Sequence, residues 1–284
     1  MINENGLKER LRVIASENAT TVNKIWKQLL LERFLARLST SPHQNKFIFK
    51  GGLLLANYIK INRETVDLDF SLTKIKSETK NIEEAISEVA TTDIHDGFYF
   101  KWDSIDELNQ PHMNYNGFRI LLNSGFGNMT DKIQIDIGVG DAVVPVESQF
   151  YPFEYKGKPI FMGEISLQVY PPEYIFSEKL QSIISKNTLN SRMKDFHDLI
   201  LMIREPNFLN SEKLAGAIQI TFKRRGTPIT TPIQIDINSA NNLQQYWSNH
   251  LRGLGGFRKN LNFPDHISEI IAEINNHMAA IQTL

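Results

Sequence analysis

The chain has 284 residues, 41% hydrophobic and 10% aromatic, enough apolar material for a real core in one large domain or two modest ones. Lys and Arg number 31 against 32 Asp and Glu, a formal charge of -1, so there is no global basic footprint and any contact with a polyanion must come from local patches. The absence of cysteine excludes disulfides and thiolate metal sites. The opening MINENGLKER carries no apolar signal region and no run approaches membrane-spanning length, so the expectation is a soluble cytoplasmic protein that does not engage a membrane.

The first pattern predicts helix from about Leu7 to Leu38. Val22, Ile25, Trp26, Leu29, Leu30, Phe34 and Leu38 recur at helical spacing, and Ser39 to Pro42 ends the run with turn chemistry. This reads as a helical lead-in packing on a sheet, ahead of the alternative of a partner-binding helix. The stretch FIFKGGLLLANYIKINRETVDLDFSL, Phe47 to Leu72, follows. A strand at about Lys46 to Lys50 breaks at Gly51-Gly52, a helix covers about Leu53 to Ile59, and a second strand covers about Thr65 to Leu72. On that strand Val66, Leu68 and Phe70 share one face, while Asp67 and Asp69 share the other because side chains alternate with a period of two. Two neighbouring carboxylates repel. A divalent cation relieves that repulsion, and Asp oxygens are suitable hard ligands for Mg²⁺. The Gly-Gly turn stands just before a helix, whose first amide N–H groups can hold phosphate oxygens. A phosphate cradle ahead of an acid pair reads as nucleotide chemistry.

Farther along, a helix is predicted at about Ile82 to Thr91, then strands at Phe98 to Trp102, Phe118 to Leu122 and Lys132 to Val139. In the last, three isoleucines occupy one face and Lys132, Gln134 and Asp136 the other. Asp136 is either a third carboxylate beside the pair or part of a solvated polar face. Ile165 to Tyr170 gives another strand, and Pro171-Pro172 opens a helix. There Lys179 lies four residues from both Ile175 and Ile183, on or beside the apolar stripe. Either an anion meets it, or its stem snorkels at the core edge. Arg192-Met193-Lys194-Asp195-Phe196-His197-Asp198-Leu199 then places Asp195 and Asp198 on one helix face, with Phe196, Leu199, Ile200 and Ile203 packing; Asp195 could equally serve the helix dipole. His197 reads as a packed or solvent-facing residue rather than a base.

Glu205-Pro206-Asn207 marks a boundary, which divides the chain into 1–205 and 206–284. Beyond it the pattern is weak, with helical segments at about Leu243 to Leu251 and Ile267 to Ile281. Lys223, Arg224 and Arg225 form a basic run, and Arg252, Arg258 and Lys259 a second near Trp247 and Phe257. Such patches either track a nucleic-acid backbone or are ordinary solvated surface. There is no P-loop motif, no complete dinucleotide fingerprint, no G-x-S-x-G and no zinc-ligand histidine spacing.

The string KGG followed by R-x-T-x-D-L-D-F, here Lys50, Gly51, Gly52, Arg63, Thr65, Asp67, Leu68, Asp69 and Phe70, resembles the AbiEii/AbiGii toxin family. Lys179 followed by Arg192, Lys194, Asp195, Asp198 and Leu199 is similar to a second block of that family, and the matches run from about residue 20 to 205. One departure is Leu53-Leu54-Leu55, where small or polar residues often stand, so side-chain help in phosphate binding is not expected there. The resemblance implies an α+β fold of the DNA-polymerase-β-like nucleotidyltransferase kind. A mixed sheet flanked by helices would occupy 1–205 with its helical lead-in, and a mainly helical part 206–284. It implies that Asp67, Asp69 and Asp136 hold Mg²⁺ and, with Lys179 and Asp195, form the catalytic set. Lys50, Gly51, Gly52, Arg63, Arg192, Lys194 and Asp198 would bind nucleotide. The implied activity moves a nucleotide from a nucleoside triphosphate to an RNA, with the 3′ end of tRNA the leading acceptor. The protein would be the toxin of a toxin–antitoxin or abortive-infection pair with a cognate antitoxin. Two rivals remain at this point: a catalytically degenerate binding protein of the same fold, and a nucleotide-sugar transferase using the D-x-D.

Overall fold

The predicted helical lead-in is two helices, α1 (Glu4–Glu17) and α2 (Val22–Thr40). The break falls where Ala19 takes a left-handed φ of 48° and Thr21 caps α2 by accepting from the Lys24 amide. Apolar periodicity carries through this break because both helices bury the same kind of stripe. The computed structural model describes residues 2–108, 116–161, 163–186, 191–234 and 237–282. These fall into two units. The first comprises the chain up to Leu54, Thr65–Gly140 and Pro145–Val169; the second comprises Leu55–Glu64, Asp141–Val144 and the chain from Tyr170 onward.

The first unit is built on a seven-stranded mixed sheet. Its strands are β1 (Phe47–Lys50), β2 (Asp67–Leu72), β3 (Phe98–Leu108), β4 (Gly117–Phe126), β5 (Met129–Val139), β6 (Val146–Phe150) and, after a small hairpin of β7 (Glu154–Tyr155) and β8 (Lys158–Pro159), β9 (Ile165–Val169). The spatial order is β3-β4-β5-β2-β1-β9-β6. β2 runs parallel to β5 and β1 parallel to β9, while the other pairings are antiparallel. Both parallel pairs need long connections, and α3 (Gly51–Tyr58) and α4 (Thr79–Thr91) lie within them. α2 packs against the sheet through β5 and β9. It buries Arg33 and Arg37, which both donate to Asp96 at 2.7–2.9 Å. A buried charge is tolerated only when it is met in this way. β3 and β4 run past the predicted ends, with a bulge at Trp102/Ser104, and β6 was not foreseen. β3 and β6 are the sheet's two edges. Beyond Trp102 on β3 only Ile105 and Leu108 are apolar and they fall on opposite faces, and β6 carries only Val146 and Phe150 at its two ends, so neither shows the sustained apolar alternation that betrays a strand.

The second unit is helical: α5 (Pro172–Lys186), α6 (Met193–Arg204), α7 (Ser211–Arg224), α8 (Ile237–Gly253), a 3₁₀ segment at Gly255–Asn260 and α9 (Ile267–Gln282). α7 arises in the stretch that looked weakly patterned. Asn210 caps it by accepting from the Lys213 amide at 3.0 Å, and Leu214, Ala217, Ile218 and Phe222 are buried. α5 packs on α7, and α6 packs on α8 and α9. The expected boundary after residue 205 therefore falls inside this unit, because the apolar stripes of α5 and α6 are buried against later helices. Among the described residues, no helix is long and apolar enough to cross a membrane.

Candidate active site

β2 projects Asp67 and Asp69 from one face, while Leu68 and Phe70 on the opposite face are fully buried. The parallel register with β5 sets Asp67 beside Gln134 and Asp69 beside Asp136. In-register side chains on neighbouring strands share a face, so three carboxylates collect on one patch of the sheet. Asp67 also accepts from the Val66 amide at 3.1 Å. β1 brings Lys50 opposite Asp69 and leads straight into α3 at Gly51. Gly51 has a φ of +78°, and a Cβ there would come 2.0 Å from Asp69 Oδ2. Only glycine satisfies both demands: it turns the chain through a left-handed conformation and lets the acid reach the start of the helix.

The fourth member of this face is Arg119 on β4, which the sequence pattern did not single out. It stands opposite Asp136 in the antiparallel register of β4 and β5. Its Nε and Nη2 donate to Asp136 Oδ1 and Oδ2 at 2.9 and 2.8 Å. Gln134 Nε2 lies 3.2 and 3.3 Å from the same two oxygens. The hydrogen bonds to Asp136 hold the Arg119 guanidinium proton more tightly than usual, and the charges of Asp136, Asp67 and Asp69 add to this. With 42% of its side chain exposed, the pair contributes roughly 0–1 kcal/mol to stability. Its consequence is electrostatic rather than structural.

The donor chemistry here fits Mg²⁺: carboxylate oxygens only, on two paired strands, with a cation already drawn to them. Among the described residues no three His, Cys, Asp or Glu side chains form a ready metal cage, and Asp136 carries Arg119 instead.

In the second unit, α6 carries Asp195 and Asp198, with Asp198 fully buried. Lys179 on α5 lies 2.7 Å from Asp198 Oδ2 and 3.3 Å from Asp195 Oδ1. Arg63 adds a fork to Asp198, Nε to Oδ1 at 2.7 Å and Nη2 to Oδ2 at 2.6 Å. Burial by itself would push the Asp198 carboxyl up, but Lys179 and Arg63 hold it well below the usual range. Burial likewise works against the Lys179 ammonium, and Asp198 and Asp195 outweigh it, so lysine stays charged. The snorkelling reading of Lys179 is thereby replaced: its anions are Asp195 and Asp198. Arg192 Nε approaches Asp195 Oδ2 to 3.0 Å as an ion pair, yet among the described residues that buried oxygen has no hydrogen bond of proper geometry. Lys194 points to solvent.

The sequence model of the AbiEii toxin family, nucleotidyl transferases of type IV toxin–antitoxin systems, matches residues 33–272. The chain belongs to the AbiEii nucleotidyltransferase family. Its fold is similar to that of JHP933 from Helicobacter pylori, with a TM-score of 0.52 and 14% identity over 93% of each chain. It is also similar to a candidate nucleotidyltransferase from H. pylori, with a TM-score of 0.50 and 14% identity over 93% of this chain and 96% of that one. No curated protein sequence matches it.

Two basic-patch readings change within this AbiEii chain. Arg225 is not a surface cation: it pairs with Glu178 at 2.8 Å and Asp141 at 3.2 Å and donates to the Gln181 side chain. Trp247 is fully buried and donates to the Pro264 carbonyl at 3.0 Å, so it offers no face to a base. Lys223, Arg224, Arg252 and Lys259 remain exposed, as does Arg258, which pairs with Asp265. His197 is packed, as one of its two readings held. Its Nε2 donates to the Ile61 carbonyl at 2.6 Å and its Nδ1 accepts from His250 Nε2 at 2.9 Å. Burial pushes both imidazoles down to about 4, so the pair is neutral.

Proposed function

We propose that this AbiEii nucleotidyltransferase is Mg²⁺-dependent and moves a nucleotide from a nucleoside triphosphate to the 3′ end of an RNA, with tRNA the leading acceptor. The observation that carries the reading is the β2–β5 register, which sets Asp136 beside Asp69 on the face that also bears Asp67. Asp67, Asp69 and Asp136 are the residues that would hold Mg²⁺. When bound, the ion supplies charge neutralisation on phosphate and activation of an attacking hydroxyl. Gly51 and Gly52 present first-turn amides of α3, which have no intrahelical acceptor and suit phosphate oxygens. Leu53, Leu54 and Leu55 bring no polar side chain, so that contact belongs to backbone. Lys50, at the end of β1, adds a cation.

For the second unit the reading keeps Lys179 as a phosphate cation whose ammonium is oriented by Asp195. Arg192 and Lys194, exposed at the start of α6, are further cations for nucleotide. Arg63 and Asp198 hold this set in place, since Asp198 receives Arg63 and Lys179 together. The protein's role as a toxin, neutralised by a cognate antitoxin, follows from the family. The test is direct. Purified protein is incubated with each labelled nucleoside triphosphate, Mg²⁺ and total RNA, and the label is followed into RNA. Label in RNA that disappears with EDTA and in Asp67→Ala supports the reading; no label from any of the four nucleotides refutes it.

A further inference from the structure

Asp136 has little left to give a metal. A carboxylate offers about four lone-pair sites. Arg119 takes one on each oxygen in a two-point fork, and the Gln134 amide lies within 3.3 Å of both oxygens. A cation that is to be ligated by Asp136 must therefore displace at least one of these donors. Geometry names the guanidinium as the one that matters. Arg119 and Asp136 are cross-strand partners, while Asp69, beside Asp136 on the other flank, has Lys50 opposite it, so Arg119 is the cation that meets Asp136. The Arg119 side chain is 42% exposed and Asp136 19%, so solvent reaches the contact and the fork can open without disturbing the core.

We propose that Arg119 is a positioning residue, the built-in counter-ion of Asp136, and that it competes with the divalent cation for that carboxylate. In the metal-free protein its fork balances carboxylate repulsion and keeps Asp136 aimed at β4. Asp136 becomes a ligand only as the fork releases it, which leaves the guanidinium available to an anionic substrate group. A cation acting only through space would also weaken metal binding, but its removal would tighten binding equally with Asp136 or with asparagine at that position. This inference rests on the metal reading of Asp67, Asp69 and Asp136 given above.

The experiment is a Mn²⁺ titration of the full chain, with free Mn²⁺ read by electron paramagnetic resonance. The proteins are wild type, Arg119→Met, Arg119→Lys, Asp136→Asn and the double variant Arg119→Met/Asp136→Asn. Removing the unit positive charge that Arg119 holds against Asp136 should tighten Mn²⁺ binding by about tenfold or more. Arg119→Lys, which keeps the charge and loses the fork, should fall between. In the double variant the gain should vanish. In EDTA, Arg119→Met should melt lower than wild type, and Mn²⁺ should abolish that difference. Equal or weaker Mn²⁺ binding by Arg119→Met overturns the competition, as does a gain that persists in the double variant. Should Arg119→Met fail to fold, Arg119→Lys decides, and wild-type affinity there overturns the proposal. If wild type and every variant bind no Mn²⁺, the metal reading itself fails, a result distinguishable from the others.

Discussion

Arg63 and Asp198, 135 residues apart, meet through two parallel hydrogen bonds of 2.7 and 2.6 Å, with the carboxylate wholly out of solvent. Lys179 closes the same carboxylate from a third direction at 2.7 Å. Removing one partner of a buried pair leaves the other uncompensated, which costs about 3–5 kcal/mol. Arg63→Met and Lys179→Met should both destabilise the chain by that order in urea unfolding. The expectation for Lys179 alone, read as a phosphate contact, would be lost nucleotide affinity with little loss of stability. Its place between two carboxylates predicts both losses, and a Lys179→Met variant that unfolds at the wild-type midpoint would refute it.

The network also sets a pH window. Asp198 has a depressed pKa in the folded state, so its stabilisation is complete above its unfolded value of about 3.9 and is lost as pH falls toward the folded value. Lys179 has a raised folded pKa, so its contribution is complete below its unfolded value of about 10.4 and is lost as pH rises through the folded one. The stability difference between wild type and Asp198→Asn should thus be flat between about pH 4 and 10 and shrink on either side. A difference that changes between pH 6 and 8 would contradict the assignment.

The histidine pair acts at mildly acid pH. His197 and His250 are held neutral, with folded values of about 4 set by burial. A base with a depressed folded pKa contributes stability that is full above its unfolded value of about 6.5 and lost as pH falls through the folded value. Wild type should lose melting temperature between about pH 6.5 and 4. His250→Gln retains an amide donor toward His197 Nδ1 and removes one titrating ring. Its melting temperature should fall less steeply over that range, and an unchanged slope would count against the pair.

At the acid face, Gly51→Ala is a test of geometry. The substitution asks alanine to adopt a φ of +78° and puts its Cβ 2.0 Å from Asp69 Oδ2. The backbone term alone costs about 1–2 kcal/mol, and Asp69 must move. Nucleotide transfer should be lost in a chain that remains folded by circular dichroism, as in Asp67→Ala and Asp69→Ala. Transfer at the native rate in any of the three would remove the acid face from the reaction.

The basic run at the end of α7 divides in two. Lys223→Gln and Arg224→Gln should weaken RNA binding, each lowering the salt slope by roughly one unit or slightly less. Arg225→Gln should instead lower the melting temperature, because it removes the guanidinium that pairs with both Asp141 and Glu178. If the Lys223→Gln/Arg224→Gln double variant keeps its RNA affinity and salt slope, the acceptor is bound elsewhere.

Local periodicity determined much of this protein. Strand alternation alone puts Asp67 and Asp69 on one face, the Gly51-Gly52 turn announces the helix that follows, and helical spacing pairs Asp195 with Asp198. Each of these relations spans a few residues and depends only on backbone geometry. Other relations belong to the tertiary structure. That Asp136 stands beside Asp69 and Arg119 opposite Asp136 depends on register between strands. Register is chosen by which apolar faces must be buried together, and slipping it by one residue would turn every polar side chain to the wrong side. Arg63 met Asp198, Arg225 met Asp141 and Glu178, and Trp247 left the surface for the same reason. A charge or an aromatic ring looks alike in sequence whether solvent or a distant partner satisfies it, and only folding supplies the partner.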